Sequence, residues 1–343
     1  MLGMRSDFGV DSGAGVPRYM FEMYNRIRNE RGLSVEKVMF RRLPVIGNGI
    51  SFRIISSFKN LNKYDIIHNL EELPFYPLKK GRYTSVATAH DFGLLLYPNE
   101  LIPAALPIRH AAWLELVVKP GLKSALSSDY IFANSTQTRE EAVKLGFERK
   151  RIFLIALGVD DRYVRQVGKS RNKDIFKIGY IGAMRYNKNI KFAVKGINLI
   201  KDPKIEFEIW GKKEFEYVNL TQEVKNKNIK FMGFAPENKI VDVYDSFDAF
   251  TFPSLYEGFG LPIFEAMARG LPVIIYRYGK IPKEVRKYCF EAESPENMAQ
   301  IIEDLKENGY NEKLKKKATE YARSFTWEKT ARETLKVYKK VIN

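Results

Sequence analysis

The chain has 343 residues, 45 % of them hydrophobic and 13 % aromatic, which is enough for two domains with a core each at ~100–200 residues per domain. Its formal net charge of +16 and sequence pI of 9.6 favour anionic partners: phosphorylated substrates, acidic lipid surfaces or nucleic acid. One cysteine, Cys289, excludes an internal disulfide framework and suits a reducing cytoplasm; with only three histidines beside it, zinc is excluded too.

In chain order, short apolar runs alternate with amphipathic segments. The opening MLGMRSDFGV lacks an apolar signal core, and no later stretch approaches the ~18 apolar residues of a membrane span. The first half reads as strands over 38–40, 66–68, 85–88, 130–133 and 152–156, with helices over 17–29 and 136–145. A polar, charged stretch at 160–174, DDRYVRQVGKSRNKD, reads as a linker. The second half reads as strands over 177–181, 206–210, 230–232, 249–252 and 273–275, and helices over 190–199, 237–246, 261–268 and 297–306. Continuous β-branched and aromatic strands point to burial on both faces of a parallel sheet. The fold class expected is therefore α/β, with two Rossmann-like, doubly wound parallel-sheet domains. Ligands of such sheets bind beyond the C-terminal strand ends, so two facing domains are expected to share one cleft.

The most informative run is YEGFGLPIFEAMARGLPVI, residues 256–274. A strand ends at Pro253, a loop carries Glu257, Gly258, Phe259 and Gly260, and Pro262 suits a helix's first turn. Glycines let backbone N–H groups approach a ligand, and the helix N-terminus favours an anion. Two carboxylates, Glu257 and Glu265, flank this anion-friendly spot and would repel a bare phosphate. They suit a ligand that also carries hydroxyls, since a carboxylate accepts two hydrogen bonds from a vicinal diol. A ribose and a hexose on either side of a diphosphate fit. The plainer alternative is an ordinary strand–loop–helix with Glu257 in solvent and Glu265 favouring the helix dipole.

The surrounding PSLYEGFGLPIFEAMARGLPVI resembles the donor-site signature of retaining glycosyltransferases of family 4, which have the GT-B fold. Ordered weaker matches support it: SGAGVPRYMFEM (12–23), YDIIHN (64–69), TAHDF (88–92), SDYIFANSTQT, LGVDDRY, IGYIGAMRYNKN (178–189), FMGF (231–234) and SFTWE (324–328). The resemblance implies an acceptor-binding domain over 1–165 and a nucleotide-sugar donor-binding domain over 166–327, with a last helix near 328–343 returning to the first. It implies that Glu257 sits by the donor sugar and Glu265 holds the ribose. The amides of Gly258, Phe259, Gly260 and Leu261 meet sugar and phosphates, with Gly182, Gly233 and Phe234 also on the donor side. It puts the Gly13 to Gly15 loop by the diphosphate and His90 by the reacting centre, whereas His68 reads as structural.

Three departures stand out. Only about residues 2–5 are available for the strand before the glycine loop, so that strand is short or the native start lies upstream. Ala183 stands where the family often has arginine after glycine, so Arg185 and Lys188 are expected to clamp the diphosphate. The segment IPKEVRKYCFEA carries Lys283 and lacks the acidic-glycine pair usual there, which leaves its role open.

The expected activity is transfer of a sugar from a UDP- or GDP-linked donor to an acceptor hydroxyl, with retention and without metal or cofactor. The acceptor is a glycan, a lipid or a small molecule. The apolar run FGLLLYPNELIPAALPI (92–108), with Lys79, Lys80 and Arg82 nearby, is either a docking site for anionic lipid on the inner membrane face or a buried part of the first domain. A GT-B phosphorylase or epimerase is the alternative within sugar chemistry. A simple dinucleotide-binding site is disfavoured because GAGVPR lacks the third glycine, and DVYDSFD (242–248) has the wrong spacing for an Asp-x-Asp metal motif. A nucleic-acid-binding protein is the distant alternative, without an RRM, KH or zinc motif to support it.

Overall fold

The structure is a computed structural model that describes residues 2–3, 15–39, 43–44, 51–52, 61–70, 81–103, 111–112, 114–165, 174–212 and 217–342. The chain divides into two compact units, one of residues 1–158 with 327–343 and the other of 159–326.

The first unit is built on a parallel sheet of six strands, in the order β2-β1-β5-β6-β7-β8. These are β1 (Leu2–Gly3), β2 (Val38–Met39), β5 (Ile66–Asn69), β6 (Thr84–Ala89), β7 (Tyr130–Ala133) and β8 (Ile152–Leu154). A hairpin, β3 (Leu43–Pro44) with β4 (Ser51–Phe52), is inserted after β2. Helix α1 (Gly15–Ile27) buries Tyr19, Met20, Met23 and Ile27, a stripe at helical spacing. Helix α2 (Thr136–Lys144) starts where the Ser135 side chain accepts the Thr138 amide at 3.1 Å, a satisfied N-cap. Phe92, Leu122, Ile131, Phe147 and Ile152 form its core, and Leu94, Leu95 and Leu96 pack against it. The described part of the apolar run 92–108 forms short helices Gly93–Leu96 and Pro98–Leu101, burying Phe92 and Leu101 and packing Leu94, Leu95 and Leu96 partly against the core. Leu94 to Pro98 remain partly exposed. Lys79, Lys80 and residues 104–108 lie outside the described residues.

The second unit holds six parallel strands in the order β11-β10-β9-β12-β13-β14. They are β9 (Phe176–Ile181), β10 (Ile205–Trp210), β11 (Ile229–Gly233), β12 (Ala249–Phe252), β13 (Val273–Tyr276) and β14 (Phe290–Ala292). The helices between them include α3 (Ile190–Leu199), α4 (Ile240–Asp245), α5 (Leu261–Ala268), α6 (Pro295–Asn308) and α7 (Glu312–Arg323). The chain starts at β9, winds outward through β10 and β11, then returns to place β12 against β9. That reversal makes the β9/β12 boundary the topological switch point, where open α/β sheets bind ligands. Tyr180, Phe207, Phe250 and Phe252 are fully buried at its centre.

The last helix, α8 (Trp327–Ile342), belongs to the first unit. Trp327 packs on Tyr19 with ring centroids 6.2 Å apart, and Arg26 pairs with Glu328 at 2.8 Å. Its Tyr338 hydroxyl hydrogen-bonds His68 Nδ1, His68 Nε2 reaches Thr88 Oγ1 at 2.8 Å, and Thr88 reaches the Tyr19 hydroxyl at 2.8 Å. One buried polar chain therefore ties α8, β5, β6 and α1 together. The division between units falls at 158/159, ahead of the linker expected from composition. The reason is specific: Val159 bridges Thr326, and Arg269 donates to the carbonyls of Tyr163 and Arg165, so 159–165 is built into the second unit.

Candidate donor site in the second unit

Two loops frame the switch point. The first follows β9 and runs from Gly182 to a tight turn, Tyr186–Lys188, that feeds α3 through Asn189 in a left-handed conformation, φ 51°. The second follows β12 and runs from Pro253 to Gly260. The loops are stitched together: the Leu255 amide donates to Asn187 O at 2.8 Å. The turn after β13 holds the other side, with Lys280 N donating to Leu255 O at 2.7 Å and Glu257 N to Lys280 O at 2.9 Å. Tyr256 is buried. The backbone carrying Glu257 is therefore fixed on both sides before any ligand arrives.

This geometry brings Lys188 and Glu257, distant in sequence, to 2.6 Å between Nζ and Oε1. The Lys188 ammonium also sits 5.3 Å from the centre of the Phe252 ring. Beneath them, Tyr180 stacks on Phe252 at 5.9 Å and donates its hydroxyl to Ala183 O at 3.0 Å. Burial pushes the Tyr180 phenol well up; the Glu257 carboxylate pushes it further, and Arg185 opposes. Glu257 and Arg185 thus act electrostatically on one buried ring. Arg185 itself is exposed on the turn.

Gly260 adopts φ 85° and opens α5, where no side chain caps the helix. A residue with a Cβ is strained at that φ. Pro262 falls in the first turn, as the helix chemistry requires. Phe259 points inward, stacked on Phe264 at 4.4 Å and edge-on to Phe325 at 5.9 Å, so only its backbone can serve a ligand. Leu261 is likewise buried and Gly258 has no side chain. Glu265 lies on α5, and its Oε2 accepts the Tyr244 hydroxyl at 2.8 Å. On the other flank, Gly182 N donates to Trp210 O at 2.9 Å and Gly211 N to Gly233 O at 2.7 Å. A Cβ on Gly211 would lie 1.8 Å from Gly182 O, so the strand ends approach as only glycine permits. Phe234, 49 % exposed, projects just beyond β11.

Sequence reasoning missed the residues that hold this frame. Tyr180 and Arg269 lie within the matched runs and Tyr244 within DVYDSFD, but nothing local announces the distant partners they hold. Arg286 gives the segment 281–292 a role: it donates to Gly279 O at 2.7 Å and pairs with Glu291, bracing the turn that pins Glu257.

Within the first unit, His90 follows β6. Its Nε2 lies 2.9 Å from Leu70 O, its ring meets Tyr19 edge-on at 5.2 Å, and its carbonyl accepts from Asn134. Burial pulls its imidazole down to about 4, so the ring is neutral at physiological pH. Gly15 is the first residue of α1, and Gly13 lies outside the described residues. A groove of about 380 Å³ between α1 and α8, lined by Arg26, Glu30, Arg332 and Lys336, includes none of the predicted site residues. Among the described residues, no cluster of His, Cys, Asp and Glu has a metal-binding arrangement, and no helix is long and apolar enough to cross a membrane.

Comparison with known proteins agrees with this architecture. Across almost the full length (98 % of each chain), the fold is similar to that of Anabaena HepE crystallised with UDP and glucose, with a TM-score of 0.71 at 16 % identity. Sucrose-phosphate synthase from Thermosynechococcus elongatus gives 0.64 at 19 % identity, over 81 % of this chain and 74 % of that one. In sequence, the chain is 29 % identical to the O-antigen chain mannosyltransferase B of Escherichia coli over 171 residues, 47 % of this chain and 45 % of the relative. It is 31 % identical to the D-inositol 3-phosphate glycosyltransferase of Corynebacterium glutamicum over 132 residues, 37 % and 32 % of the two chains. The matches span about half the length of these curated relatives or less. Residues 164–325 match the family Glycosyl transferases group 1 and residues 15–163 match Glycosyltransferase Family 4. With both units matched in order, the chain belongs to the group 1, family 4 glycosyltransferases and has their GT-B fold.

Proposed function

We propose that the protein is a retaining, metal-independent glycosyltransferase that moves a sugar from a UDP- or GDP-linked donor to an acceptor hydroxyl. The observation that carries this reading is the pair Glu257 and Glu265 on a rigid loop and helix at the switch point, with Lys188 beside Glu257. The fold likeness to a protein crystallised with UDP and with UDP-glucose supports uridine diphosphate sugars as the first donors to test.

In this reading Glu265 accepts the ribose hydroxyls and Glu257 those of the donor sugar. Lys188, Arg185, the amides from Gly258 to Leu261 and the N-terminus of α5 stabilise the diphosphate as charge builds on it. These groups supply the positive charge otherwise asked of a metal. The bond from the anomeric carbon to the diphosphate oxygen breaks and the bond to the acceptor oxygen forms on the same face. The acceptor proton passes to the leaving phosphate oxygen. A double displacement through a covalent intermediate is the competing route. His90, in the first unit, is the proposed residue near the reacting centre. The acceptor is a glycan, a lipid-linked sugar or a small molecule.

The test is a panel of UDP- and GDP-sugars read by thermal stabilisation and hydrolysis. A ligand at about 100 times its Kd adds ~2.7 kcal/mol of stability. Glu265→Ala should weaken free UDP or GDP in calorimetry. Glu257→Ala releases Lys188, so nucleotide affinity holds while turnover collapses. Equal loss of nucleotide affinity in both variants overturns the assignment. A requirement for inorganic phosphate, or an epimerised product, points instead to a phosphorylase or an epimerase.

A further inference from the structure

The run DVYDSFD has the wrong spacing for a metal motif, yet two of its residues reach the helix that carries Glu265. Tyr244, in the last turn of α4, is fully buried. Its ring is held edge-on by Tyr163 at 5.6 Å and by Phe247 at 6.5 Å, and tilted against Phe250 at 5.4 Å. From this fixed position its hydroxyl donates to Glu265 Oε2 at 2.8 Å. The next residue, Asp245, accepts Arg269 Nε at 2.7 Å and Nη2 at 2.5 Å. Arg269 is the C-cap of α5, and its amide donates to the Glu265 carbonyl at 3.2 Å. The end of α4 therefore grips α5 at two points one turn apart, the Glu265 carboxylate and the residue that closes the helix.

A glutamate's terminal torsion is broad, so an unheld carboxylate samples many planes. A buried phenol has no water to turn to and keeps its hydroxyl on the carboxylate. Packing thus fixes the hydroxyl, and the hydroxyl fixes the plane of the carboxylate. We infer that Tyr244 is a positioning residue for ribonucleotide binding: it occupies Oε2 of Glu265 and presents Oε1 to the ribose hydroxyls. The inference rests on the reading of Glu265 as the ribose ligand. A ring held in place only to fill the core would need no hydroxyl, and phenylalanine would serve as well.

Calorimetry with UDP, GDP and ADP, and with the 2′-deoxy form of whichever binds, tests this on wild type, Tyr244→Phe, Glu265→Ala and the double variant. Tyr244→Phe keeps the ring and should weaken the ribonucleotide about three- to tenfold, the scale of one hydrogen bond. It should weaken the deoxynucleotide less, and in the Glu265→Ala background it should have no further effect. An equal penalty in that background, or equal penalties for ribo- and deoxynucleotide, overturns the inference and leaves Tyr244 a packing residue. Should Glu265→Ala weaken binding while Tyr244→Phe does not, the inference alone fails. Should Glu265→Ala leave binding unchanged, or none of the three nucleotides bind, the ribose reading fails and the inference with it.

Discussion

At the scale of single residues, the site holds opposite charges in contact. Lys188 pairs with Glu257 at 2.6 Å, so a diphosphate bound there, as proposed, would have to share or take the ammonium. Arg185, exposed on the same turn, has the reach to follow the phosphates. A charge-assisted hydrogen bond is worth ~1.5–3 kcal/mol, so Arg185→Ala should lower kcat/KM about 10- to 150-fold, and Arg185→Lys should recover part of it. Lys188→Ala should cost more, because it also leaves Glu257 without its cation. Steady-state kinetics at saturating acceptor checks both. Wild-type kcat/KM in Arg185→Ala would leave Lys188 as the sole clamp. The histidines make a second prediction. Burial lowers His90 to about 4 and holds His68 well below the usual range. In the unfolded chain both protonate as pH falls through about 6.5. The unfolded state then binds more protons, so their contribution is complete above that pH and is lost as pH falls toward the folded values. Each should remove on the order of 1 kcal/mol of stability per pH unit as pH falls below roughly 6.5. Urea denaturation across that window measures the slope, which His68→Gln should about halve.

At the scale of elements, α4 and α5 behave as one piece. Arg269 is 2 % exposed and Asp245 12 %, so Arg269→Met leaves a buried carboxylate without its partner. The expected loss is about 3–5 kcal/mol, and Arg269→Met with Asp245→Asn should restore part of it. Chemical denaturation of both variants decides; equal stability would mean the pair contributes nothing. The elements also show what a sequence pattern can carry. Helices α3 and α5 match their predicted spans because apolar spacing and Pro262 mark them clearly. Helix α7 is marked more weakly, by a narrow stripe of Leu314, Ala318, Tyr321 and Ala322 among charges. Its sequence EKLKKKATEYAR fully buries only Ala318 and Ala322, and it is held by the Tyr321 ring against Phe264 and Tyr288 and by polar contacts, Thr319 to Met267 O and Arg323 to Ala268 O. Strand β14 is three residues long at the sheet edge and is recruited by its neighbour β13.

For the whole molecule, the charge of +16 acts beside an apolar run near His90 that is only partly buried in the core. Electrostatic attraction is expected to dominate toward membranes. Flotation with anionic vesicles should show binding at low ionic strength that vanishes near 0.5 M salt, where the Debye length falls below about 5 Å. Binding that survives such salt would reveal an apolar contact as well, with the partly exposed run at 94–98 as its first candidate.

The sequence by itself determined the class of fold, because buried parallel strands must be apolar throughout and helices between them must be amphipathic. It also marked Glu257, Gly260, Pro262 and Glu265, since a turn that needs a positive φ, a helix start and two carboxylates leave a local trace. It marked Lys188 and Arg185 as the cations expected at the diphosphate, without the partner of either. Tertiary structure decided that Lys188 meets Glu257 across 69 positions, that Tyr244 meets Glu265 across 21, and that Arg269 fastens 159–165 to the second unit. Those contacts depend on strand order: β12 returns to lie against β9, and a pairing between distant segments has no local periodicity to announce it.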